Sequence, residues 1–313
     1  MPRAKKQTAP PPAEAEDTII GPLSEAAATA EPPTKIDKPC VARPLMKWVG
    51  GKGQLAPQIA ALLPAKMKTY FEPMVGAGAV YYVLANAERF DSAVLGDTNA
   101  ELVDVLRAAQ SSVEEVIQFL SVYSYDKSMF DRIRDQDPAK LGLVMRAART
   151  IYLNKCGFNG LYRLNSKGKF NVPFGRYTNP KICDEPNLRA VSALLNQHTT
   201  DLVVGDFEAT VAMARKGDGV YLDPPYLPRS KTANFTSYTA EKFDREEHRR
   251  LGEVFRKLAA KGIAVVLSNA DTEEARAIYE GFEIRAVQAR RSINCAKDKR
   301  QPVSEILVTA NTP

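Results

Sequence analysis

The chain has 313 residues, a 44% hydrophobic fraction and 43 Lys and Arg against 37 Asp and Glu, for a net charge of +6. That size allows one core with a smaller insertion, or two modest domains, and no apolar run is long enough to cross a bilayer, which excludes a membrane-spanning helix. Four scattered cysteines (Cys40, Cys156, Cys183, Cys295) and two histidines (His198, His248) assemble no zinc-ligand pattern, so no metal is expected and the thiols are read as reduced and non-catalytic.

Residues 1–42 hold eight of the 21 prolines and no apolar periodicity, which reads as a disordered Pro/Ala-rich tail. Its basic start is followed by Gln-Thr-Ala-Pro-Pro-Pro where a secretory signal would need its apolar stretch, so a cytoplasmic protein is expected. From Leu45 the pattern becomes strand–helix. "TYFEPMV" and "SAVLGD" read as short buried strands, with "AVYYVLANAE" and "AELVDVLRAA" as the helices that follow them. Residues from about 113 to 198 are mostly helical in pattern, as in "VEEVIQFLSVY" and "PAKLGLVMRAARTIYLNK", broken by a Gly- and Asn-rich basic stretch. Strands resume with "TDLVVGD", "GVYLDPP", "GIAVVLSN", "FEIRAVQA" and "SEILVTAN", and the helix pattern "REEHRRLGEVFRKLAAKG" lies among them. The economical architecture is α/β, a mainly parallel sheet with an inserted domain.

Charge is segregated along this order. From Pro138 to Cys183 there is no acidic residue, while Lys140, Arg146, Arg149, Lys155, Arg163, Lys167, Lys169, Arg176 and Lys181 are all basic, leaving the rest of the chain at −3. Such a block is the footprint of a polyanion, nucleic acid first among them; the alternative is a solvated basic face.

Ligands of open α/β sheets bind beyond the carboxyl ends of the strands. "FEPMVGAGAV" puts Gly76 and Gly78 at one such junction, and Asp97 ends the next strand, where a carboxylate can accept from ribose hydroxyls. A dinucleotide fingerprint would need its third glycine at Tyr81, and no phosphate loop occurs, so the pattern suits a nucleoside cofactor without phosphates. The third junction is "YLDPPY", residues 221–226. Pro224 and Pro225 stop a strand for lack of N–H donors, which leaves Asp223 and Tyr226 to explain. The Asp223 carboxylate and the Pro224 carbonyl form a pair of acceptors for the two N–H groups of a ring-conjugated amine, favouring a tetrahedral nitrogen whose lone pair can attack in line. Tyr226 would stack on the ring. As the nitrogen takes up a methyl cation it becomes positive, and the carboxylate stabilises that charge most in the transition state.

"DPPY", "FEPMVGAGAV" and "LMKWVGGKGQL" together resemble the adenine-specific DNA methyltransferases that use S-adenosylmethionine. "FNGLYRLNSKGKFNVPFGRY", "TANFTSYT", "LSNADT" and "RRSI" are similar, in the same order, to motifs of their Dam-type (D12) branch, from about Leu45 to Thr309. The resemblance implies a Rossmann-like seven-stranded methyltransferase sheet with its last strand antiparallel, and an inserted, mainly helical target-recognition domain. It divides the chain into a tail (1–42), a catalytic domain (43–112 and 199–313) and a recognition domain (113–198). It also implies that Trp48, Lys52, Asp97 and Asp223 line the methyl-donor site, with Glu72 and the Gly76–Gly78 turn beside it, and that Asp206 and Phe207 flank the donor's adenine. Read without the family, Trp48 is first a core aromatic and Lys52 first an exposed loop lysine.

A base inside a duplex hides its amino group from a deep pocket, so this chemistry requires the nucleotide to be turned out of the stack. Phe158 is a candidate wedge, Asn159 and Arg163 candidate donors to base edges, and Leu161 a contact for a thymine methyl. Lys167, Lys169 and Arg176 would hold phosphates. By resemblance Lys47 also reaches a base, and Phe158 to Arg163 match residues that read GATC. Arg290, Arg291, Lys297, Lys299 and Arg300 form a second candidate phosphate-contacting loop, or a solvated basic turn. The rivals are a cytosine amino-nitrogen methyltransferase, an RNA adenine methyltransferase and a non-catalytic DNA-binding regulator. Cytosine ring-carbon methylation is set aside because the sole Pro-Cys, Pro39-Cys40, lies in the tail.

Overall fold

The structure is a computed structural model and describes residues 40–226, 243–290 and 302–313. Most of the tail, the "TANFTSYT" motif and Arg291, Lys297, Lys299 and Arg300 therefore lie outside the described residues. Seven strands form one sheet: β1 (Met67–Glu72), β2 (Phe90–Asp97), β3 (Thr200–Val204), β4 (Gly219–Leu222), β5 (Ala264–Ala270), β6 (Glu283–Arg290) and β7 (Pro302–Ala310). Their order is β3-β2-β1-β4-β5-β7-β6. The pairs among β1 to β5 are parallel, and β7 runs antiparallel between β5 and β6. The seven strands read from the sequence are these seven, including the reversed last one.

The central strands β4 and β5 are buried throughout and mainly apolar because both their faces are covered, whereas the edge strands β3 and β6 are partly exposed. Side chains alternate between two cores: Tyr70, Tyr221, Val266 and Leu307 enter one, while Phe71, Val220, Leu222, Val265, Leu267, Ile306 and Val308 enter the other. The first core is closed by α1 (Ala56–Leu62), α2 (Ala79–Asn86) and α3 (Ala100–Ser111). Four further helices, α4 (Val113–Ser121), α5 (Lys127–Asp135), α6 (Leu143–Cys156) and α7 (Glu185–Gln197), lie between β2 and β3 in sequence. They share that same core, with Ile151, Tyr152 and Leu188 buried in one cluster with Tyr70 and Tyr221. The second core is covered by the short α8 (Phe207–Thr210), α9 (Arg245–Ala260) and α10 (Glu273–Ile278).

One helix is shorter than its pattern predicts. "PAKLGLVMRAARTIYLNK" opens with a 3-10 turn at Pro138–Lys140, and α6 starts only after Gly142, whose backbone is extended. The Asp137 carboxylate accepts the Ala139 N–H at 3.0 Å, closing the turn on itself and uncoupling it from the helix.

In this strand order the connections leave in opposite directions at β1 and β4, which makes their carboxyl ends the switch point where a crevice opens. Glu72, the Gly76–Gly78 turn and Asp223 all follow from those two ends.

Candidate active site

Strand β4 stops at Leu222, and Asp223 emerges with its side chain 18% exposed, facing Lys52, which is 7% exposed. The Lys52 ammonium lies 2.7 Å from Asp223 Oδ1 and 2.9 Å from Oδ2, and also donates to the Gly50 carbonyl at 2.7 Å. It sits 4.7 Å from the centre of the Tyr226 ring, so one cation lies between the carboxylate and the aromatic face. Tyr226 is itself anchored: its hydroxyl donates to Glu305 Oε2 at 2.7 Å. Ser268 Oγ donates to Asp223 Oδ1 at 2.7 Å. The carboxylate is thus fixed from two sides, while Oδ2 retains acceptor capacity.

The glycine turn beside it uses the freedom that only glycine has. Gly76 (φ +49°) and Gly78 (φ +70°) are left-handed, and a Cβ on Gly76 would fall 3.0 Å from Cδ1 of Trp48, whose indole lies against the turn. Asp97 pins the turn: its Oδ2 accepts the Gly76 N–H at 3.1 Å and its Oδ1 the Asn99 N–H at 2.9 Å. Burial raises the Asp97 carboxyl, against the pull of these backbone donors. Trp48 also tilts against Tyr162, with centroids 5.3 Å apart, which joins the turn to the "FNGLYR" stretch.

Glu72 faces inward. It is 2% exposed, and its Oε2 accepts the Tyr70 hydroxyl at 2.8 Å and the Tyr81 N–H at 3.1 Å. Burial pushes its carboxyl up to about 8, with the Asp223 charge adding to the rise. At neutral pH it is mainly a buried acid, set behind the Asp223–Lys52 pair. Asp206 caps α8 through the Glu208 N–H and is held by a two-pronged Arg250, at 2.9 Å to Oδ1 and 2.6 Å to Oδ2. The same guanidinium lies 4.1 Å from the centre of the Phe207 ring, which is 4% exposed. Phe207 therefore turns its ring into the core, under Arg250.

The basic segment forms an exposed loop rooted on α6. Leu164 bridges Phe170 and Gly157 bridges Phe174. At the tip, the Asn165 side chain accepts the N–H groups of Lys167 and Lys169 at 2.9 and 3.0 Å, and Gly168 is left-handed at φ +71°. Lys167, Lys169 and Arg176 are exposed, as is Phe158 at 41%. Asn159 is left-handed at φ +56°, Leu161 is half-buried, and Arg163 is exposed with its Nε on Asn171 Oδ1 at 2.7 Å. Lys47 joins this group: a Cβ on Gly160 would fall 2.8 Å from Lys47 Cδ, so the lysine stem lies along the loop. The link is Asn154, buried on α6. Its Oδ1 accepts the Lys47 N–H at 3.0 Å, and its Nδ2 donates to the carbonyls of Lys47 at 2.8 Å and Gly160 at 2.9 Å.

Two sets of predicted residues therefore come together, Lys52 with Asp223 and Tyr226, and Lys47 with Phe158 to Arg163, while Trp48 lies on the Gly76 turn between them. Sequence reasoning missed Ser268, Glu305, Arg250 and Asn154. "LSNADT" carried Ser268 in plain view as a hydroxyl closing an apolar strand, whereas Asn154 and Arg250 have partners too distant in sequence to be inferred from spacing. Among the described residues no cluster of three or more His, Cys, Asp and Glu could hold a metal, and no helix is long and apolar enough to cross a membrane.

A seven-stranded sheet with this order, a reversed seventh strand and an acid-Pro-Pro-Tyr turn at its switch point is a Rossmann-like methyltransferase fold. Residues 48–293 match the family of D12 class N6 adenine-specific DNA methyltransferases, and the chain belongs to that family. It is 41% identical over 273 residues to the type II methyltransferase M1.LlaDCHI of Lactococcus lactis subsp. cremoris, covering 85% of this chain and 95% of the relative. Over 285 residues it is 39% identical to the type II methyltransferase M.MjaIII of Methanocaldococcus jannaschii (85% and 98% covered). Over 276 residues it is 33% identical to the DNA adenine methylase of Escherichia coli K12 (85% and 94% covered). The protein is accordingly an adenine-specific DNA methyltransferase, and the cytosine, RNA and non-catalytic alternatives give way.

Proposed function

We propose that the enzyme transfers a methyl group from S-adenosylmethionine to the exocyclic amino nitrogen of an adenine turned out of duplex DNA, within GATC. The observation that carries this reading is the meeting of Asp223, Lys52 and Tyr226 beside the Gly76–Gly78 turn.

The residues present fit a cationic, phosphate-free nucleoside. The strand ends offer the carboxylates Asp97, Asp206 and Asp223, and the glycine turn gives its Gly76 N–H to Asp97 in place of a phosphate oxygen. Trp48, the Gly76–Gly78 turn and Asp97 would hold the nucleoside, and Glu72 holds the first turn of α2 behind them through the Tyr81 N–H. Asp206 and Phe207 are assigned to the base end beyond β3, where Arg250, which clamps Asp206 and covers the Phe207 ring, has to swing away to admit the base. When bound, the donor supplies an electrophilic methyl carbon on a sulfonium cation. Asp223 Oδ2 and the Pro224 carbonyl accept hydrogen bonds from the two amine N–H groups and turn the nitrogen lone pair outward; after transfer the methylated nitrogen gives up one of those protons to water, with a neutral thioether left from the donor. Tyr226, its hydroxyl held by Glu305, offers a fixed face for the purine. The Lys52 ammonium stands in that same slot, so the incoming amine has to share Oδ2 with it or shift it aside. Once the amine is seated, positive charge developing on the nitrogen is met by a carboxylate that Ser268 already orients.

Residues 113–198 act as the recognition domain, rooted in the same core as the sheet. Phe158 wedges into the stack, Asn159, Arg163 and Lys47 donate to base edges, and Leu161 meets a thymine methyl. Lys167, Lys169 and Arg176 hold phosphates; Arg291, outside the described residues, is assigned there too. Incubation with methyl-labelled S-adenosylmethionine and duplexes containing or lacking GATC, followed by nucleoside analysis, tests the proposal. Label in N6-methyladenine from GATC duplexes alone is expected; equal labelling of both removes the sequence assignment, and label in any other nucleoside removes the pocket assignment.

A further inference from the structure

We infer that Ser268, itself oriented by Tyr221, is a positioning residue for methyl transfer: it fixes the rotation of the Asp223 carboxylate so that Oδ2 faces the target amine. The inference rests on the role given to Asp223 above. Strands β4 and β5 pair in parallel up to Leu222 with Leu267, and Asp223 and Ser268 are the next residues on each. Ser268 Oγ lies 2.7 Å from Asp223 Oδ1 and 2.9 Å from the Tyr221 hydroxyl.

The direction of the chain follows from proton counting. An ionised carboxylate only accepts, so the single Ser268 proton goes to Asp223, and the Tyr221 hydroxyl must then donate to Ser268 Oγ. Burial raises the Tyr221 phenol well above its ordinary value, and the Asp223 charge raises it further, which keeps that proton in place. Both props are out of water: Ser268 is 0% and Tyr221 1% exposed. The rest of β5 is apolar up to this point, and a buried hydroxyl is costly unless its hydrogen bonds are made. Lys52 cannot do the same work, because its ammonium contacts both Asp223 oxygens and leaves the carboxylate plane undefined. Ser268 distinguishes Oδ1 from Oδ2.

The test measures steady-state kinetics on GATC duplex DNA with S-adenosylmethionine for Ser268→Ala, Tyr221→Phe and the double variant. Ser268→Ala is expected to lower kcat about 10- to 100-fold, the penalty of a misaligned reacting group, with KM for DNA and for donor changed less than about twofold. Tyr221→Phe is expected to lower kcat about 3- to 10-fold, and the double variant to match Ser268→Ala, because the phenol acts only through the serine. A Ser268→Ala kcat within about twofold of the unmutated enzyme overturns the inference, as does a double-variant loss equal to the product of the single losses. If the unmutated enzyme makes no N6-methyladenine, the role of Asp223 fails first and this inference falls with it.

Discussion

The pocket at the ends of β1 and β4 and the basic loop on α6 are built on opposite principles. In the pocket every carboxyl group is spoken for: Asp223 by Lys52 and Ser268, Asp97 by two backbone N–H groups, and Glu72 by Tyr70 and Tyr81. On the loop the basic side chains stand out in solvent, and order resides in the backbone beneath them, held by Asn154, Asn165 and the Tyr177 hydroxyl, which donates to the Gly157 carbonyl at 2.9 Å. Stabilising a charge that exists only in the transition state requires dipoles already in place. Gripping a hydrated, flexible polyanion requires exposed cations on a correctly shaped backbone.

If that contrast is right, damage to the two regions separates in the measurements. The largest effect is expected from Asp223→Ala, which should cut kcat about 1,000-fold while DNA affinity, dominated by phosphate contacts, changes little; rate and gel-shift assays on one preparation check both. Next comes Asn154→Ala, which leaves three backbone groups without their partner, the Gly160 carbonyl among them buried, and should cost about 2–3 kcal/mol, read as a lower melting temperature together with a raised KM for DNA. Arg163→Ala should cost about 1–3 kcal/mol of discrimination at one base pair, seen as converging rates on matched and single-mismatch duplexes. Lys169→Ala should weaken binding evenly across sequences and lower the salt slope of log Kd by about one. The effect at Glu72 falls on stability rather than on activity and has a definite sign. The folded chain keeps a proton, up to about 8, that an unfolded glutamate with its ordinary value of 4.5 has released, so stability falls as pH rises between those limits. Glu72→Gln should flatten that part of the pH dependence in thermal melts at pH 5 and pH 8.

Much of this was legible in the sequence for a physical reason. The central strands are covered on both faces and so read as apolar runs, and Gly76, Gly78, Pro224 and Pro225 mark junctions through backbone properties that belong to the residue itself. Charge segregation likewise needs no fold to be seen. What stayed hidden depends on distance and direction. Glu72 sits in a strand-end motif, yet nothing in "FEPMV" says that the side chain turns inward onto Tyr70. Phe207 follows Asp206 as expected, but that its ring goes under Arg250, 43 residues on, is a fact of packing. Asn154 looks like one polar residue in a helix, and only the fold brings Lys47 and Gly160 to it.

The most direct test sets the two regions side by side, with methyl-transfer rate at saturating DNA and equilibrium DNA affinity measured for Asp223→Ala and Arg176→Ala. A crossing is expected, in which the first variant loses rate and keeps affinity while the second loses affinity and keeps rate. Both variants losing the same quantity would contradict it.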